Sequence, residues 1–271
     1  MMSLTQAFWY AAIQGVSEFL PISSSAHLAL FQKLVTLTPP GALFETAVHL
    51  GSLLVLLTYF WADVLKLIKG FFHILRGRLT QEGRLFLTLL MATLPALCVG
   101  LLIEKTIGRQ LFNNLEVIGW TTLIFGALLW AADLRPQRFI VRNITLRQAF
   151  WGWGIMQCLA FVHGVSRSGI TITFGRFMRY KRTDAIRFAF LMAIPTLKGA
   201  TVLKARAFLG LQTVEEVSLI FFAVLVSFVI GFCVIHLLMR SLNTALLRFL
   251  GLYRVLLGAL ILGGLYFWNW F

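Results

Sequence analysis

Six apolar stretches, at about 42 to 65, 84 to 103, 116 to 133, 184 to 204, 216 to 239 and 249 to 271, alternate with short segments rich in Lys and Arg. Each is close to the roughly 20 residues that a helix needs to cross the hydrocarbon core. That alternation restricts the chain to an all-α polytopic membrane protein, because only structures that satisfy their own backbone polar groups span lipid. Composition agrees: 13% of the residues are charged and 59% apolar, against roughly a quarter charged in soluble domains. Residues 1–271 read as a single integral membrane domain. The net charge of +14 does not indicate nucleic acid, since the basic residues sit between apolar stretches rather than on one soluble face. It fits a positive-inside topology and attraction to anionic lipid. Cys98, Cys158 and Cys233 lie in apolar stretches without C-x-x-C spacing, so no disulfide framework or zinc cluster is expected. The first residues lack a basic n-region and a small-residue cleavage site, and are expected to be retained.

Two further regions, about 4 to 38 and 146 to 180, are apolar but interrupted at their centres. The first carries Pro21 with Ser23, Ser24 and Ser25; the second carries Gly164, Ser166, Arg167, Ser168 and Gly169. Three basic clusters orient them. Lys66, Lys69, Arg76, Arg78 and Arg84 read as one cytoplasmic loop, Arg135, Arg138, Arg142 and Arg147 as a second, and Arg176, Arg179, Lys181, Arg182 and Arg187 as a third. The last two flank the 146 to 180 region, which must then enter and leave from the same side. Residues 1 to 41 hold one basic residue, Lys33, and are expected outside. Aligned without gaps, Gln14 meets Gln157, Ile22 meets Val165, Ser23 meets Ser166, Ser25 meets Ser168 and Ala26 meets Gly169; shifted by one, Phe44 meets Phe188. The expectation is six transmembrane helices plus two re-entrant helix-loop-helix regions in an inverted-topology repeat, with halves at about 1–140 and 141–271. Two irregular loops at membrane depth need a shared polar site or a wet cavity.

The chemistry concentrates in those loops. Gln14 and Glu18 are four residues apart and share a helix face. An acid inside a membrane segment marks a functional site by default, although an interfacial or capping role is the plainer alternative. One of the three serines is expected to cap the next helix, and hydroxyls beside a helix N-terminus also cradle phosphate. His27 is within reach of those hydroxyls if a helix begins at the serines, and a Ser and His pair can attack phosphorus, with Glu18 orienting the His or holding a metal ion. Arg167 offers a planar fork matched to phosphate oxygens, or a salt bridge to Glu18 itself. Gly164 and Gly169 permit close backbone approach, and Ser166 and Ser168 add hydroxyls.

The pattern Q-x-x-x-E-F-L-P-I-S-S-S-A-H at 14 to 27, with G-V-S-R-S-G at 164 to 169, resembles the two signature motifs of the bacterial undecaprenyl pyrophosphate phosphatase family, the bacitracin-resistance type. The similarity runs through nearly the whole chain, including F-E-T-A-V-H-L-G-S from Phe44 to Ser52. The resemblance implies hydrolysis of undecaprenyl diphosphate to the monophosphate carrier of cell-wall synthesis, a divalent cation (Mg²⁺ or Ca²⁺), a homodimer and a place in the bacterial inner membrane. It implies acidic or metal-linked function at Glu18, catalytic function at His27, and phosphate contacts at Ser24, Ser25, Ser166 and Arg167. Two positions differ from the most familiar form of the family: Gln14, where Glu or Gln is accepted and Gln removes one possible carboxylate, and His163, where the family usually has Pro. His49 reads as a packing histidine, and Lys198, inside a span, as a residue bordering the site cavity. Tyr266, Phe267, Trp268, Trp270 and Phe271 read as an interfacial belt. The competing function is a transporter or flippase of polyprenyl phosphate lipids, since inverted repeats with broken helices also suit transport.

Overall fold

The computed structural model describes residues 2–35, 41–106, 114–204, 213–241 and 245–267. Every regular element among them is helical, and the one extended pairing is an isolated bridge between Phe139 and Tyr180. Six helices are long and apolar enough to cross a membrane: α3 (Ala42–Tyr59), α5 (Gln81–Thr106), α6 (Leu115–Asp133), α10 (Arg182–Leu203), α11 (Val214–Arg240) and α12 (Leu246–Tyr266). They coincide with the expected spans except that the first ends at Tyr59. In the aromatic tail Tyr266 and Phe267 are exposed, with the Tyr266 hydroxyl donating to Glu116; Trp268, Trp270 and Phe271 lie outside the described residues.

The first basic cluster is not simply a loop. Lys66 and Lys69 lie on α4 (Trp61–Leu75), which follows α3 after a break at Phe60. Trp61, Leu65, Ile68, Phe72 and Leu75 are exposed along one face of α4, the spacing of a helix lying in the membrane interface. Asp63 at its start is buried and pairs with Arg187 of α10 at 2.5 Å. Another correction concerns Arg176, which was expected among cytoplasmic loop charges. It is completely buried, bonded to Asp133 and to the carbonyls of Tyr180 and Arg135. Asp133, at the end of α6, also receives Arg182 at 2.7 Å and Arg248 at 3.6 Å. One carboxylate thus ties together the ends of four elements, and this partner is what makes a buried guanidinium tolerable.

Between the spans the contacts are small and close. On α11, Ala223, Ser227, Gly231 and Ile235 form a buried stripe facing α1 (Leu4–Phe19) and α3, and Ser227 donates to the Val48 carbonyl at 2.9 Å. The opposite stripe, Phe221, Leu225, Val229 and Phe232, is exposed and suits lipid. Helices α6 and α12 approach so closely that a Cβ at Gly126 would lie 2.9 Å from the Gly251 carbonyl.

Both interrupted regions are broken helices. The first comprises α1 (Leu4–Phe19), opened by a Ser3 and Gln6 capping box, then residues 20 to 23 and α2 (Ser24–Leu34). The second contains α7 (Leu146–Gln148), a π-helical turn (Ala149–Gly154), α8 (Ile155–Cys158) and a 3₁₀ turn (Leu159–Phe161). Residues 162 to 166 follow, and then α9 (Arg167–Phe177). Packing partners correspond: α1 lies against α11, the 146–161 segment lies against α5, and α6 pairs with α12.

Candidate active site

The two breaks share one local design. After α1 the chain turns extended at Leu20, Pro21 cannot donate to a helix, and Ser23 adopts φ +74°. Ser166 adopts φ +69° at the corresponding place before α9. Each of these serines caps the helix it precedes, Ser23 accepting from the Ala26 amide at 3.3 Å and Ser166 from the Gly169 amide at 3.1 Å. Each also lies beside the serine two residues on, at 3.1 Å for Ser23 and Ser25 and 3.2 Å for Ser166 and Ser168.

Direct bonds clamp the turns together. The Gly164 amide donates to the Ser25 hydroxyl at 3.1 Å, and the Ser168 hydroxyl reaches the Glu18 carbonyl at 3.3 Å. Gly164 combines φ +90° with a Cβ position that would collide with the Thr121 hydroxyl, so a larger residue is excluded twice over. Arg254 of α12, fully buried, donates to the carbonyls of Gly164 at 2.8 Å, Val165 at 2.9 Å and Pro21 at 3.4 Å. Gly169 leaves room for its guanidinium: a Cβ there would lie 2.6 Å from Arg254 Nη1. Sequence reasoning missed Arg254, though an arginine inside an apolar span was the available signal.

Glu18 stands at the centre. Its Oε1 accepts from Arg167 Nη2 at 2.5 Å, and its Oε2 accepts from Gln14 Nε2 at 3.0 Å and from the Ser24 hydroxyl at 2.9 Å. The salt bridge left open by the sequence is therefore formed. Arg167 Nη1 also reaches Thr196 Oγ1 at 3.3 Å and the Ala193 carbonyl at 3.4 Å, holding the fork across the gap between the turns. Gln14 Nε2 is also 3.0 Å from His49 Nδ1, so His49 faces this network rather than merely packing.

A cavity of about 720 Å³ opens on this network. Of the expected site residues, Gln14, Glu18, Ser24, Ser25, Ser166, Arg167 and Ser168 line it, as do His49, His163 and Lys198. Ser23, Gly164 and Gly169 lie behind the lining and shape the turns. His27 also lies off the cavity. Its Nδ1 is 2.8 Å from the Ser23 carbonyl and its Nε2 is 2.7 Å from the Tyr253 hydroxyl. With Nδ1–H donating to the carbonyl, Nε2 of the neutral ring accepts from Tyr253. The structure thus gives Ser24 a carboxylate partner, Glu18, and gives His27 a partner on α12.

Residues 7–260, which include both turns, the six spans up to the last residues of α12, and Arg254, match the model of the bacitracin resistance protein BacA family. The chain belongs to the BacA family. Among BacA-related proteins, one from Alcanivorax borkumensis named undecaprenyl-diphosphatase is 38% identical, over 96% of this chain and 98% of its own length. Proteins of the same name from Saccharophagus degradans and Moorella thermoacetica are 37% and 40% identical. The first covers 100% of both chains, and the second 96% of this chain and 97% of its own.

Proposed function

We propose that this BacA-family chain hydrolyses undecaprenyl diphosphate, releasing inorganic phosphate and leaving undecaprenyl phosphate. The observation that carries the reading is the Ser24 hydroxyl held 2.9 Å from one oxygen of Glu18 while Arg167 holds the other. The hydroxyl is placed to pass its proton to Glu18 as its oxygen attacks the terminal phosphorus. The bond from that phosphorus to the bridging oxygen breaks, and the lipid monophosphate leaves. Water then cleaves the phosphoserine and restores Ser24. Arg167 turns from Glu18 to the phosphoryl oxygens, where its fork stabilises the charge that develops. The names of the relatives support the phosphatase reading over lipid transport, which needs Arg167 but has no use for an activated hydroxyl.

A divalent cation is part of the same proposal. Among the described residues no three His, Cys, Asp or Glu side chains come close enough to cage an ion. The hard oxygen donors at hand are the Glu18 carboxylate, the Ser24 hydroxyl bonded to it, and Gln14 Oε1, which is buried without a hydrogen-bond partner. Those residues would hold Mg²⁺ or Ca²⁺, hard cations that take oxygen ligands. The ion, when bound, would offset charge on the diphosphate oxygens.

We also infer that the halves form an inverted repeat with two re-entrant regions in the bacterial inner membrane. The paired positive-φ serines, the matching serine contacts and the exchanged packing partners support this. Reporter fusions before α1 and near Arg76 should fall on opposite sides; a cytoplasmic N-terminus would contradict the orientation.

Purified protein given a C55 or C15 diphosphate is expected to release phosphate, and to stop when divalent ions are chelated. Ser24→Ala should lower turnover by roughly 10²-fold or more. His27→Ala, acting through Tyr253 and the Ser23 turn, should cost no more than about tenfold, about 1.4 kcal/mol. Equal losses in the two variants would return His27 to the role of base, and no release from the parent would favour transport.

A further inference from the structure

The cavity carries more positive charge than its own acids neutralise. Its two carboxylates are engaged, Glu18 with Arg167 and Glu45 with Lys204 at 3.6 Å. Lys198 of α10 lines the same cavity and has no anionic partner among the described residues. An ammonium group within a spanning helix calls for water or an anion. Gln157 of α8 lines it as well. It is 2% exposed, and neither its Nε2 nor its Oε1 has a hydrogen-bond partner among the described residues. A buried amide with both atoms unmatched is costly unless a ligand or water completes it.

Neighbours of both residues touch one stretch of α5. Gly154, just before α8, abuts Pro95, and Gly199, next to Lys198, abuts Leu97. Correspondence between the turns sharpens the point. Gln157 stands where Gln14 stands in the first half, and Gln14 donates to Glu18; the place of Glu18 is taken in the second half by Phe161. Gln157 therefore keeps the donor while its half has lost the acceptor. From there Leu97, Gly100 and Leu101 continue the cavity wall along α5, and Leu101 is exposed.

We propose that Gln157 and Lys198 form a second phosphate subsite, which holds the lipid-proximal phosphate of the substrate while Glu18, Ser24 and Arg167 act on the terminal one. This rests on the diphosphatase reading for the division of labour between the two phosphates. The subsite binds the ester phosphate that stays on the isoprenoid, so the monophosphate product occupies it and free inorganic phosphate does not require it.

The test uses Gln157→Leu and Lys198→Met in the full-length protein, with Lys198→Arg as the charge-preserving control. Equilibrium binding of farnesyl monophosphate is the first readout and needs no turnover. Each of the first two variants should weaken it about tenfold, equivalent to about 1.4 kcal/mol, while Lys198→Arg retains most of the affinity. In steady state, KM for farnesyl diphosphate should rise by about the same factor with kcat changed less than about threefold. Inhibition by inorganic phosphate should be unaltered, which also reports an intact fold. Monophosphate affinity unchanged in both variants would overturn the subsite, as would a fall in kcat alone. Equal weakening of inorganic phosphate would place both residues at the terminal phosphate instead. If the parent releases no phosphate yet binds monophosphate through these residues, the hydrolysis reading fails and the subsite stands.

Discussion

Glu18→Gln is expected to reduce phosphate release by roughly 10³-fold, a loss of the size seen when a group acting only in the transition state is removed. The amide keeps the shape and can still meet Ser24 and Gln14, but it cannot take a proton and it leaves Arg167 without its counter-charge. Breaking such a pair from one side costs about 3 kcal/mol of stability, so activity alone would confuse two effects. The double variant Glu18→Gln with Arg167→Met separates them. Its melting temperature in detergent should recover toward the parent value, because no uncompensated charge remains, whereas its turnover should stay at the level of the worse single variant. Recovery of turnover with stability would mean that the pair is only structural. Arg167→Lys adds a control: it restores charge without the planar fork, and should regain stability while leaving turnover low.

Arg254→Met is expected to be the most destabilising single change away from the cavity. The guanidinium donates to three carbonyls, two from the second turn and one from the first, and methionine of similar length offers none of these bonds. Each buried carbonyl left unmatched costs about 1–3 kcal/mol; Gly164 keeps a longer bond from the Thr122 hydroxyl at 3.5 Å, while Val165 and Pro21 lose the Arg254 donor. Thermal unfolding should shift downward, and phosphate release should fall in the same variant although Arg254 does not line the cavity. Unaltered melting with normal release would show that the clamp is redundant. Arg254→Lys should recover part of the stability, since one ammonium cannot reach all three oxygens in the geometry of the fork.

Much of this arrangement was legible because bilayer length and charge asymmetry act over whole segments. The six spans follow from apolar run length alone, and the convergence of Glu18 with Arg167 follows from the cost of leaving either charge alone in lipid. What was hidden depends on partners distant in sequence. Arg176 looked like any other positive loop residue until Asp133, at the end of another helix, was found beside it. His27 looked like a partner for the serines because they are neighbours in the chain; Tyr253, 226 positions away, took its Nε2. The amphipathic character of α4 was masked because its apolar face merged with the preceding span. Gln157 was visible in the sequence only as the counterpart of Gln14, since its unmatched amide shows only when its partners are counted in three dimensions.

The two serines at positive φ set stability against local chemistry. Glycine would adopt those angles without penalty, whereas a residue with a Cβ pays roughly 1–2 kcal/mol at each. Replacing a capping serine by glycine forfeits only a few tenths of a kcal/mol. By stability alone, glycine would suit both positions better than serine. The hydroxyls do local work instead: each caps the helix that follows and meets the serine two residues on. Glycine at either position is then the change to choose when the aim is a more durable scaffold, and at Ser166 it also takes a hydroxyl from the cavity wall.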